Sequence, residues 1–149
     1  MITDALLKLS AAQAVTASAV SENTIDLGPG VRDLGPGEPL KIAVTVDESF
    51  ATATSVTIKV ISSAAADLSA ATVLSQTDAI PIANLTAGRK PILIPVPRHV
   101  LAAQPIGQRY LGLTYTVGGS NATAGKFTAN VVLDGQDIQR NYPSGFSVS

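Results

Sequence analysis

Between residues 40 and 62 apolar and polar positions alternate. Leu40, Ile42, Val44 and Val46 are separated by Lys41, Ala43 and Thr45, and Val56, Ile58 and Val60 by Thr57 and Lys59. A period of two carried by β-branched residues predicts two strands, each with one buried and one wet face. Residues 47–54 between them are too few for the crossover that parallel neighbours need. The pair is therefore expected to be antiparallel, either a hairpin or two strands in facing sheets. The same period returns in Leu111, Leu113, Tyr115 and Val117, is turned by Gly118-Gly119, and continues in Phe127, Ala129, Val131 and Leu133. Residues 63–71 suit a loop or a single helical turn. Shorter strand pieces are expected at 72–75 and at 79–82, where Pro81 excludes an unbroken central strand. Pro91 and Pro95 stand two steps either side of Leu93, so their missing N–H groups point the same way, which suits an edge strand. Short strands with turns at this spacing predict an antiparallel β-sandwich. Its expected core is Ile42, Val44, Val46, Val56, Ile58, Val60, Leu111, Leu113, Tyr115, Phe127 and Val131.

The flanks are less regular. Residues 3–9 allow one or two helical turns with Thr3 as N-cap and Leu6, Leu7 and Leu9 apolar, too short to stand alone. Residues 13–27 alternate loosely, as an extended arm or an edge strand would. The expectation is that residues 1–27 lie largely off the sandwich and pack on a neighbouring copy or another protein; a first sandwich strand within 15–27 is the alternative. Asp26-Leu27-Gly28-Pro29-Gly30 then recurs as Asp33-Leu34-Gly35-Pro36-Gly37. Each Gly-Pro-Gly reads as a tight turn, since Pro fixes φ and Gly accepts positive φ. A phosphate-cradling loop would need a Gly-Lys-Ser/Thr ending and a following helix, and neither is present. The chain thus divides into an arm (1–38), a sandwich (39–133) and a short tail (134–149). The candidate interface residues are Ile2, Leu6, Leu7 and Leu9 in the arm and Arg140, Tyr142 and Phe146 in the tail.

Composition narrows the function. At 149 residues the chain is one ordinary domain, able to bury roughly 70% of its unfolded surface. Ten basic and eleven acidic residues give a formal net charge of -1 without a block of either sign, which argues against nucleic acid or a membrane surface as partner. No apolar run is long enough to span a bilayer. The small-residue run after Lys8 is broken by Gln13, Thr16 and Ser18, so no cleaved signal peptide is expected. Charged residues are only 14% of the chain against the usual ~25%. A surface so thin in charge suits one that is covered.

The inventory for chemistry is small. Cysteine is absent and His99 is the only histidine, which leaves little for a nucleophilic triad or a zinc site. His99, after a Pro-Val-Pro run, reads as an exposed loop residue. Asp47-Glu48 and Asp134 with Asp137 lack the ligand alternation of a calcium loop and read as solvated turn carboxylates. Asn84-Leu85-Thr86 and Asn121-Ala122-Thr123 match the glycosylation sequon, a short pattern that arises by chance. No enzymatic activity, metal or cofactor is expected.

Ile2-Thr3-Asp4-Ala5-Leu6-Leu7, Asn23-Thr24-Ile25-Asp26-Leu27-Gly28, Ile80-Pro81-Ile82 and the block from Arg109 through Tyr110-Leu111-Gly112-Leu113-Thr114-Tyr115-Thr116-Val117 to Gly118-Gly119 together resemble the capsid cement proteins of tailed bacteriophages, of the Bordetella-phage type. The likeness runs in order from the first residue to about Asp137. It implies a jelly-roll β-sandwich without enzymatic activity, made in the host bacterial cytoplasm and placed on the outer surface of the virion capsid. Its partners would be a major capsid protein of HK97-like fold and other copies of itself. A dimer is expected ahead of a trimer, because charge is sparse and edges such as 89–96 would otherwise stand open. Two other functions compete: a carbohydrate-binding or adhesion module, poorly furnished with aromatics, and a hydrolase built on His99.

Overall fold

The computed structural model describes residues 4–28, 40–97 and 108–132. After a 3-10 turn at Ala5–Leu7 the chain forms β1 (Lys8–Ala14), β2 (Ala19–Val20), β3 (Ile25–Asp26), β4 (Leu40–Ala51), β5 (Ser55–Ser63), β6 (Thr72–Gln76), β7 (Ile80–Pro81), β8 (Ile92–Val96), β9 (Tyr110–Gly118) and β10 (Ala124–Val132). A four-stranded sheet has the order β1-β10-β4-β8, and a six-stranded sheet the order β2-β9-β5-β6, with β3 also on β9 and β7 also on β5. Every pairing is antiparallel. Since β2 with β3 and β6 with β7 each share one place, both sheets have equivalent orders and successive long strands pass from one to the other. That interleaving of two Greek keys is the jelly roll.

The predicted core residues are buried between the sheets, with Ile42, Val44, Val56, Ile58, Val60, Leu113, Tyr115 and Phe127 at zero exposure. Val131 is half-buried, opposite Ile42 at the sandwich end. Across the middle the Tyr115 and Phe127 rings stack at 5.1 Å, and Phe50 lies 4.7 Å from Phe127.

Strands β4 and β5 take the facing-sheet alternative: they pair with different neighbours and never with each other. The connection is shorter than residues 47–54, because β4 runs on to Ala51. Phe50 explains the extension, since its ring is buried against Phe127 and lies over Gly125. Gly125 has φ +140 and no Cβ to collide with that ring, so a side chain there would be both strained and obstructed. Between Val46 and Glu48 the β4 strand carries one residue more than β10. This bulge puts Asp47 and Glu48 in succession and hides the alternation. The turn between sheets comes at Thr52, whose φ is +76. Its hydroxyl is bonded to that of Thr123 at 2.7 Å, and the Thr54 N–H donates to the Gly118 carbonyl at 2.9 Å.

The expectation that the arm lies off the sandwich is corrected from Lys8 onward. Strand β1 is the edge of the four-stranded sheet, with Leu9 and Val15 at zero exposure in the core. Val20 and Ile25 belong to β2 and β3 on the other sheet. A buried Leu or Val contributes about 1.5–3 kcal/mol, which adds to the strand pairing with β10 and β9 against the entropy of ordering the segment. Residues 8–26 are therefore part of the sandwich.

On the outer face of the six-stranded sheet, residues 64–71 turn back as a loop. Leu68 is buried there over Gly112, in space that only a missing Cβ leaves free. Ser63 Oγ donates to the Ser69 carbonyl, and Asp67 Oδ1 accepts from the Ser69 N–H at 3.0 Å. Hydrogen bonds from the Ser69 side chain and then from its backbone N–H hold the Asp67 carboxyl below its usual range.

Candidate interaction surface

Strand edges are the first surface to test, and each side of the sandwich guards them differently. Pro95 stands opposite Lys41 on β4. Having no N–H to offer, it must take a non-hydrogen-bonded place in that pair, and Leu93, two residues earlier, faces outward with it. The outer rim of β8 therefore presents the Leu93 N–H between two prolines, and the Pro95 carbonyl already accepts from Ser75 Oγ of β6 at 2.9 Å. The expectation that 89–96 is an edge strand holds. The inference that it stands open to pairing does not, because its prolines remove the donors a second strand would need.

The opposite seam, between β1 and β2, is joined through side chains. Ser10 Oγ donates to Gln13 Oε1 at 2.7 Å, so its 2.8 Å bond to the Tyr115 hydroxyl must be donated by the tyrosine. Gln13 Oε1 also accepts from the Glu22 N–H at 3.0 Å, Gln13 Nε2 donates to the Val20 carbonyl at 2.8 Å, and Glu22 Oε1 accepts from the Ala11 N–H at 3.0 Å. Burial raises the Tyr115 pKa well above the ordinary tyrosine value, against the smaller lowering by its bond to Ser10. With the folded value above the unfolded one, the stabilisation is whole below pH ~10 and is lost as pH rises further, by up to about 1.4 kcal/mol per pH unit. Tyr115→Phe is expected to flatten that alkaline slope at a cost near neutrality of about 1 kcal/mol. Chemical denaturation at pH 8 through 11 checks it; an unchanged slope rejects the assignment.

With the seams closed, the outer faces remain, and they differ in charge. The four-stranded sheet displays Lys8, Lys41, Asp47, Glu48 and Lys126 around its outward rows. Lys126 Nζ meets Glu48 Oε2 at 3.0 Å, and Asp47 accepts from the Thr128 hydroxyl, itself bonded by the Ala12 N–H at 2.9 Å. These carboxylates serve as partners for side chains on the neighbouring strand. On the six-stranded sheet one outward row reads Val20, Thr114, Lys59, Gln76 across β2, β9, β5 and β6, and the next reads Thr116 and Thr57. Lys59 is the charge in the middle of these rows. At the lower margin Arg109 makes two 2.6 Å bonds to Asp26 and lies 5.2 Å from the Tyr110 ring; the Asp26 bonds raise its pKa.

Of the candidate interface residues, Leu6 is 85% exposed and Leu7 half-buried, on the 3-10 turn capped by Asp4, whose Oδ1 accepts from the Leu6 N–H at 2.9 Å. Leu9 is corrected: at zero exposure it is a core residue and offers nothing to a partner. Ile2, Arg140, Tyr142 and Phe146 lie outside the described residues, as do His99, Asp134 and Asp137. Among the described residues no group of His, Cys, Asp and Glu is gathered as a metal site would need, and no helix is long and apolar enough to cross a membrane. The row through Lys59 was not singled out from the sequence. Its signal was there, since the wet positions of the two best alternations, Thr57, Lys59, Thr114 and Thr116, are nearly uncharged. Only the pairing of β5 with β9 assembles them into one surface.

The described residues form an all-β jelly roll with two broad outward sheet faces. The chain belongs to the Bbp16 family, a bacteriophage-derived family whose model matches residues 9–131. The match begins at Leu9, inside β1, and ends within β10, so it spans the sandwich. No curated protein matches the chain.

Proposed function

We propose that the protein is a capsid cement protein: it binds the outer surface of a phage capsid, bridges neighbouring major capsid protein subunits of HK97-like fold, and so stabilises the shell. Membership of a bacteriophage-derived family across the whole sandwich carries this reading. A body whose seams are joined by hydrogen bonds supports it, because a part that repeats over a shell must hold its shape and not polymerise through its edges. Affinity can then come from several modest contacts per particle, each further one being effectively intramolecular.

In the same reading copies associate on the shell, as a dimer ahead of a trimer. The motive is sparse charge and family likeness alone, since the β8 rim is blocked. The carbohydrate-binding alternative gains nothing from the described aromatics: Tyr115, Phe127 and Phe50 pack together inside the core, and Tyr110 lies under Arg109.

The test mixes purified protein with capsids that lack it, then sediments and heats them. Saturable co-sedimentation with a raised temperature of shell rupture is expected, and density at regular outer positions should give the grouping of copies. Absence of binding at micromolar protein, or specific binding to glycans instead, overturns the reading.

A further inference from the structure

The two broad faces of this sandwich are not equivalent, and the difference has a direction. On the four-stranded sheet Lys126 pairs with Glu48 and Asp47 accepts from the Thr128 hydroxyl, while Ala43 and Asn130 in its outward rows are already buried. The rows Thr57/Thr116 and Val20/Thr114/Lys59/Gln76 on the six-stranded sheet are mostly β-branched and, Lys59 apart, free of charge, beside the 64–71 loop that Leu68 seats over Gly112. Depletion of charge is what marks the covered centre of an interface. Val20 is 41% exposed at one end of the row, and the threonine methyls extend that apolar character inward. Lys59 is the exception. It stands between Thr114 and Gln76 in register and, like Lys8 on the other sheet, has no carboxylate partner among the described residues, whereas Lys126 and Arg109 each have one.

We propose that this face, centred on Lys59, is the side laid against the shell, with the Lys59 ammonium meeting a carboxylate of the capsid protein. The proposal rests on the cement reading and adds to it an orientation and a charge. An unpaired cation ringed by uncharged side chains selects an anionic group opposite it. It also disfavours two copies packed face to face about Lys59, where like charges would meet. The charged face of β4 and β10 then points away from the shell.

Full-length protein carrying Lys59→Glu or Thr116→Arg, with Thr45→Arg on the opposite face as control, is titrated against capsids lacking the protein. Melting temperature and sedimentation in free solution are measured in parallel. All three positions face outward, so melting temperatures are expected to stay near wild type. Lys59→Glu should weaken capsid binding by about tenfold or more, since an attractive pair becomes a repulsive one, Thr116→Arg by a comparable factor, and Thr45→Arg little. Wild-type affinity for Lys59→Glu and Thr116→Arg, or a loss confined to Thr45→Arg, overturns the orientation and leaves the cement reading standing. A change in self-association with capsid binding intact assigns the face to a second copy and overturns it too. Failure of the wild-type protein to bind capsids removes the cement reading and this proposal together.

Discussion

Ile58→Asp is expected to leave no folded protein at 25 °C. Ile58 has zero exposure and lies midway along β5, opposite Tyr115 on β9. Truncating a buried isoleucine costs about 2–5 kcal/mol through lost burial and the cavity left behind. The aspartate adds the penalty of a carboxyl with no partner, about 1–3 kcal/mol even in its protonated form. Together these come to about 3–8 kcal/mol, enough to cancel the lower part of the ~5–15 kcal/mol that holds a typical domain. Ile58→Val, which removes one methylene, should cost only about 0.5–1.5 kcal/mol. Urea denaturation followed by circular dichroism separates the two. A cooperative transition for Ile58→Asp near the wild-type midpoint would falsify the burial of this strand face. Thr57→Asp, next in sequence but on the wet face, is the matched control and should fold.

The strands legible in the sequence were those whose alternation is uninterrupted. Residues 42–46, 56–60 and 111–115 keep strict period because one long neighbour of each, β10 for β4 and the β5–β9 pair for the other two, keeps register through them, so burial maps onto every second position. Strand β1 was not legible, and its structure gives the reasons. It carries one large apolar residue, Leu9, and its pairing with β10 slips between Lys8 and Ser10 and again between Ser10 and Gln13. Ala12 sits at φ +49 within the second slip, so period two is lost where it would have been read. Ser10, a polar letter that suggests surface, is fully buried because Tyr115 and Gln13 satisfy its hydroxyl. Strands β2 and β3 span two residues each and owe their place to β9 more than to their own pattern. Whether Val46 and Val56 belong to one sheet or two depended on Thr52, a β-branched residue in the left-handed region that propensity alone would not place there. The candidate surface was hidden for a related reason. Alternation tells which residues are wet, whereas the company they keep across the sheet is fixed by register.

Removal of residues 1–10 is expected to destabilise the domain severely, where an arm lying off the sandwich would have been dispensable. The deletion takes Leu9 out of the core, at about 2–5 kcal/mol by comparison with Leu→Ala changes. It also removes the Ser10 hydroxyl that accepts from Tyr115, leaving a phenol with its pKa raised by burial and no partner, at about 1–3 kcal/mol. Finally it strips β10 of the pairings at Asn130 and Ala129 and leaves the remainder of β1 to fray. Removal of residues 1–7 is the informative comparison. It keeps β1 whole while deleting the exposed Leu6 and the 3-10 turn, so the melting temperature should stay close to wild type. If Leu6 is an attachment point, capsid binding by the shorter deletion falls with the fold intact; if it is not, affinity is unchanged. Equal melting temperatures for the two deletions would mean that Leu9 and Ser10 do not hold the first seam, and β1 would then be an accessory strand.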